Sequence, residues 1–149
     1  MEKQNFFDFN FDQLKNFLIE KAKIDNNKAK MRAQQMFNAI YKKNIKSLNE
    51  LTTFGLELRE KIKSLISLDK PKIIDVQKSK DGTIKFLLEL KDKRNVETVL
   101  IPDKTQSRYT ICLSVSVGCY LSCEFCATAQ ISKKLVRNLT PGEIISQII

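Results

Sequence analysis

The stretch GCYLSCEFCATAQ, Gly118 to Gln130, sets three cysteines within eight residues: Cys119, Cys123 and Cys126. Only one other cysteine occurs in the 149-residue chain, Cys112, seven positions upstream. The residues leading in, RYTICLSVSVG (Arg108–Gly118), alternate and are rich in β-formers, which predicts a strand running straight into the cysteines. The residues after the cluster include NLTPGEIISQII, which opens a helix with Thr140 as cap, Pro141 at the first helical position and Glu143 completing a capping box. Strand, cysteine loop and helix together read as the first unit of a βα series. One unit cannot close a sheet, and the apolar helical run reaches Ile149 without a breaker. The sequence is therefore expected to be the N-terminal portion of a longer protein.

Three thiols at this spacing narrow the chemistry. A tetrahedral structural zinc site takes four ligands, yet Cys112 sits in a strand and the chain has no histidine. In a reducing compartment, clustered cysteines suggest metal binding or catalysis rather than disulfides. The C-x3-C-x2-C spacing suits a [4Fe-4S] cluster in which three thiolates each hold one iron. The fourth iron is then free to chelate the amino and carboxylate groups of S-adenosylmethionine. An electron from the cluster can cleave that sulfonium to a 5′-deoxyadenosyl radical. Phe125, beside the third cysteine, strengthens this reading. A structural metal and plain buried cysteines are the alternatives that the spacing leaves open.

Working back toward the N-terminus, residues 71–102 carry strand signals. KIIDVQKS and TIKFLLELKD flank the turn Lys80-Asp81-Gly82 and predict a hairpin, and NVETVLIP is a third strand ended by Pro102. Alternation puts Glu97 on one face with Val99 and Ile101, although a strand glutamate is usually just solvent-facing. The first 70 residues are helical in period. Asn10 caps a helix carrying Phe11, Leu14, Phe17, Leu18 and Ala22, and DNNK breaks it. A second helix carries Ala33, Met36, Phe37, Ile40 and Tyr41, NIKSLNELTTFG is a short third element, and Leu58, Ile62, Leu65 and Ile66 mark a fourth. These stripes read as core. The opposite faces hold Lys28, Lys30, Arg32, Lys42, Lys43 and Lys46, suited to solvent or to RNA.

Lys and Arg outnumber Asp and Glu by 26 to 17, a net charge of +9, which favours polyanionic partners, nucleic acid first among them. No stretch approaches the ~20 apolar residues of a membrane span, and MEKQNFFDFNFDQLK has acids among its aromatics, unlike a secretory signal. The expected location is cytoplasmic, with no membrane partner.

At these residues the sequence resembles the radical S-adenosylmethionine superfamily. More narrowly, it resembles the dual-specificity RNA methyltransferases that methylate carbon 2 of adenosine in 23S ribosomal RNA and in transfer RNA. The matching pieces are RAQQMFNAIY (Arg32–Tyr41), VETVLIP (Val96–Pro102), RYTICLSVSVGC (Arg108–Cys119), CEFCATAQ (Cys123–Gln130) and VRNLTPGEIISQI (Val136–Ile148), in the family's order. Ser116 stands where the family usually has glutamine, and ISKKL after Gln130 replaces a shorter glycine-containing segment.

The resemblance implies an α+β chain leading into α/β. A helical accessory domain over 1–70 would help hold RNA, and a strand linker would cover 71–104. Residues 105–149 would start the catalytic domain, with the first βα unit of a radical SAM (β/α) barrel. Cys119, Cys123 and Cys126 are implied as ligands of the [4Fe-4S] cluster that chelates S-adenosylmethionine, and Glu97 as proton acceptor. Cys112, which alone would read as a small buried apolar residue, is implied as one half of a transient disulfide. Its partner is a late cysteine that carries the methyl group and lies beyond this chain. The implied partners are ribosomal RNA, transfer RNA and an electron donor such as flavodoxin, with the enzyme a monomer. Two alternatives stand: a carbon-8 ribosomal RNA adenine methyltransferase of the antibiotic-resistance type, and an inactive iron–sulfur or RNA-binding fragment.

Overall fold

Asn10 opens the first helix because its side chain and that of Gln13 satisfy each other's backbone amides, both at 2.8 Å. The structure, a computed structural model, describes residues 3–103, 105, 107–121, 123–125 and 135–149. It divides between Asp69 and Lys70 into two compact units. In the first, α1 (Phe11–Glu20) buries Leu14 and Leu18 against α2 (Asn26–Phe37), which contributes Ala29, Ala33 and Met36. Asp25 caps α2 by accepting the Asn27 amide at 2.8 Å. One π-helical turn, Asn38–Lys42, carries the chain on and turns Ala39 and Ile40 inward. After a 3-10 turn at Leu48–Glu50, α3 (Leu56–Leu65) adds Ile62 to the core. Two-residue strands β1 (Gln4–Asn5) and β2 (Ile66–Ser67), absent from the periodicity, pair in parallel. The five lysines read as a basic face are exposed. Arg32 is not with them: half-buried, it stacks over Phe54 at 5.1 Å and donates to the Thr53 carbonyl at 2.9 Å.

In the second unit β3 (Lys72–Lys78), β4 (Ile84–Glu89), β5 (Asn95–Asp103) and β6 (Arg108–Cys112) form an antiparallel sheet in sequence order. The first turn depends on Gly82, whose φ of 93° lies in the left-handed region and whose Cβ, if it had one, would meet Pro102 at 3.2 Å. An extra residue at Ile74 bulges β3. The register sends Phe86, Leu88, Val96 and Thr98 to one face, where Leu90, Leu139, Val117 and Ile144 complete a small core. Lys85, Leu87, Glu97, Val99 and Cys112 take the other face.

Two details differ from the sequence reading. The strand expected over 108–118 breaks at Leu113–Val115, and a short β7 (Ser116–Val117) pairs antiparallel with β8 (Arg137–Asn138). The helix starts at its predicted Thr140 capping box, but α4 (Pro141–Ile145) is short. Ser146 bonds back to the Gly142 carbonyl through both amide and hydroxyl, and the next amides reach only three residues back. Among the described residues no helix is long and apolar enough to cross a membrane.

Arg137 ties β8 to α4 and to the β4–β5 turn. Its guanidinium grips both Glu143 oxygens, at 2.7 and 2.8 Å, and its Nε meets Asp92 at 2.9 Å. These bonds hold the Asp92 and Glu143 carboxyls below their ordinary values of 3.8 and 4.5, with the Arg137 hydrogen bond as the main cause in each. A depressed folded-state pKa contributes stability that is complete above the ordinary value and lost as pH falls through the folded one. Thermal melts should therefore show stability declining below about pH 5. Arg137→Met should flatten that decline and cost about 1–3 kcal/mol at neutral pH.

Candidate functional site

Glu97 and Cys112 come together through strand register. Val99 of β5 lies directly opposite Cys112 of β6, and Glu97 is two residues from Val99 on the same face. Facing residues on neighbouring strands share a face, and diagonal neighbours lie roughly 7–8 Å apart. Val96 and Thr98, which flank Glu97, are buried on the other face, so Glu97 projects on the open one. Cys112 is exposed there as a free thiol. The Glu97 carboxylate meets Lys85 of β4 at 3.0 Å.

The main chain of Glu97 is held from beyond the strand. The Ser114 hydroxyl donates to the Glu97 carbonyl at 2.7 Å and accepts its amide at 3.3 Å. Ser114 is held in turn by Gln147, whose Oε1 accepts the Ser114 amide at 3.1 Å and whose Nε2 donates to its carbonyl at 2.9 Å. The same Oε1 accepts the hydroxyl of Thr98, a residue 4% exposed, at 2.8 Å. This clamp explains the strand break: residues 113–115 leave the ladder to reach Gln147. Sequence reading missed Lys85, Ser114 and Gln147. Alternation in TIKFLLEL does separate Lys85 from Ile84 and Phe86, but the cross-strand partner depends on register.

From β7 the chain turns at Gly118, φ 76°, into the cysteine loop. Cys119 and Cys123 are half-buried free thiols, and the Cys119 sulfur accepts the Leu121 amide at 3.3 Å. Tyr120, Leu121 and Phe125 stand exposed beside them. Cys126 lies outside the described residues, and among those described no three metal-ligating side chains converge. A cavity of about 350 Å³, lined by Phe86, Leu88, Thr98, Leu100, Ile111 and Gln147, opens on the sheet face opposite Glu97 and Cys112.

Residues 4–68 match the family described as the ribosomal RNA large subunit methyltransferase N-terminal domain. Over 98% of its length the chain is 38% identical to the dual-specificity RNA methyltransferase RlmN of Campylobacter fetus. Over 80% it is 41% identical to that of a Nitratiruptor species. The chain belongs to the RlmN family and corresponds to its N-terminal portion. It spans 41% and 36% of the length of those two relatives. The crystal structure of a radical SAM methyltransferase from Sphaerobacter thermophilus superposes with a TM-score of 0.80 at 29% identity, covering 97% of this chain and 40% of that one.

In this RlmN-family chain the Gln147 clamp makes a measurable commitment. Gln147→Leu strands the buried Thr98 hydroxyl without its partner, which should cost about 1–3 kcal/mol. Amide hydrogen exchange at Ser114 should quicken along with it. A melting temperature and Ser114 exchange equal to the parent protein would show that the clamp holds nothing.

Proposed function

We propose that this chain is the RNA-gripping and cluster-holding part of a radical SAM methyltransferase that methylates carbon 2 of adenosine in 23S ribosomal RNA and in transfer RNA. The observation that carries the reading is the β5–β6 register, which stands a carboxylate of β5 and a thiol of β6 on one open face, with β6 followed in the chain by β7 and the Gly118 turn into the cysteine loop. The similarity to proteins named as RNA methyltransferases supports it. In this reading residues 1–70 hold RNA, 71–104 link, and 105–149 begin the (β/α) barrel. The exposed lysines at 28, 30, 42, 43 and 46 contact phosphates, and association weakens steeply with salt.

The donor set fits an iron–sulfur cluster. Cys119 and Cys123 are free thiols on one loop, an amide already points at the Cys119 sulfur, and no histidine is present to compete. Cys126 would be the third ligand. With S-adenosylmethionine bound, the [4Fe-4S] cluster supplies one-electron cleavage of the sulfonium and so a means of taking hydrogen from a methyl group. Carbon 2 of adenine has no lone pair for direct methyl transfer, so the family's route passes through a methylated late cysteine that becomes joined to the ring. Glu97 takes the ring proton as the adduct gives up its unpaired electron, for which the oxidised cluster would be the acceptor. The Cys112 thiolate attacks the sulfur of that late cysteine. A disulfide forms and the carbon–sulfur bond breaks, its electron pair passing to the new methyl carbon, which takes a proton. An outside two-electron reductant, such as a small thiol, reopens the disulfide.

Mass spectrometry of nucleosides from cells carrying the intact enzyme should show 2-methyladenosine. Finding 8-methyladenosine would assign the carbon-8 reaction instead, and neither would remove the activity. In the intact enzyme purified without air, Cys112→Ala should keep its iron yet trap a slow-migrating protein–RNA adduct on a reducing denaturing gel. Replacing Cys119, Cys123 and Cys126 together with alanine should abolish iron binding, and unchanged iron would sink the ligand assignment.

A further inference from the structure

We infer that Lys85 is a positioning residue for Glu97, an inference that rests on the proton-accepting role proposed for that carboxylate. Lys85 is not directly opposite Glu97. It lies opposite Val99, while Leu87 lies opposite Glu97, so the ion pair at 3.0 Å crosses the ladder diagonally. Val99 is also the residue facing Cys112, which makes Lys85, Val99 and Cys112 one continuous row across β4, β5 and β6. By reaching along the face to Glu97 Oε1, the ammonium holds the carboxylate beside that row and therefore beside the thiol. Ser114 holds only the Glu97 main chain, so Lys85 is the one described group that restrains its side chain.

Stability does not account for the pair. The two side chains are 38% and 51% exposed, and ion pairs so open to water contribute little to folding. Removing the charge should accordingly leave the protein folded and show its effect in the reaction. Holding a base in its working geometry is worth one to several orders of magnitude in rate, and losing a positioning contact forfeits part of that.

The test uses the intact enzyme with Lys85→Met, which keeps the stem and removes the charge, and Lys85→Arg, which keeps the charge. Lys85→Met is expected to slow RNA methylation about tenfold or more, with a protein–RNA adduct accumulating on a denaturing gel and with iron content and melting temperature as in the parent. Lys85→Arg is expected to recover most of the rate. In a Glu97→Gln background, Lys85→Met is expected to add no further loss, because two residues acting through one function are not additive. Normal turnover in Lys85→Met, an equal loss in both backgrounds, or Lys85→Arg no better than Lys85→Met would each overturn the inference. If Glu97→Gln itself turns over normally, the role proposed for Glu97 falls and this inference with it. An impaired Glu97→Gln beside a normal Lys85→Met overturns the Lys85 assignment alone.

Discussion

The register of β5 between its two neighbours governs the second unit. Slipping that strand by one residue would turn Val96 and Thr98 outward and carry Glu97 into the small core with Leu88 and Leu139. Burying an aliphatic side chain such as Val96 or Leu88 is worth about 1.5–3 kcal/mol, whereas an exposed ion pair like Lys85–Glu97 is worth about 0–1 kcal/mol. The apolar face therefore sets the register, and the polar face inherits its geometry. Glu97 and Cys112 become neighbours because Val96, Leu88 and Leu139 pack on the other side.

Turn chemistry keeps that register in place. Gly82 supplies the left-handed residue of the β3–β4 turn, with the Asp81 carboxylate accepting the Thr83 amide at 3.0 Å. In the β4–β5 turn Lys93 takes φ 66° without being glycine, and the turn is anchored by the Leu90–Arg94 backbone bond and by Asp92, which Arg137 holds. Arg137 also holds Glu143, the capping residue of α4, so a single guanidinium joins the sheet's turn to the helix start. Gln147 performs the matching task at the other end of α4, using its amide to satisfy Thr98 and Ser114 where the ladder has stopped. Arg137 gives the half-buried Glu143 carboxylate its partner and Gln147 the buried Thr98 hydroxyl, one from the strand after the cysteine loop and the other through Ser114 before it.

The cysteine spacing, the four-strand pattern, the Gly82 turn and the caps at Asn10 and Thr140 were all legible in the sequence, because each is a local rule acting within about ten residues. A capping box needs only its own side chains, and alternation or helical periodicity shows in a single segment. The placement of Glu97 on one face with Val99 and Ile101 was legible for the same reason. Its nearness to Cys112, its pairing with Lys85 and the break of the strand at Leu113–Val115 were not. Each depends on which residues of separate strands come to face each other, and on a glutamine 33 residues away from Ser114. The shortness of α4 escaped for a related reason: the run to Ile149 is helical in period, yet Gln147 bonds to strand and loop groups that no local pattern reveals. By itself, then, the sequence determined the chemistry on offer and the local elements that carry it. The tertiary structure decided which groups meet, because burial of one sheet face selects a single register among those that local propensity allows.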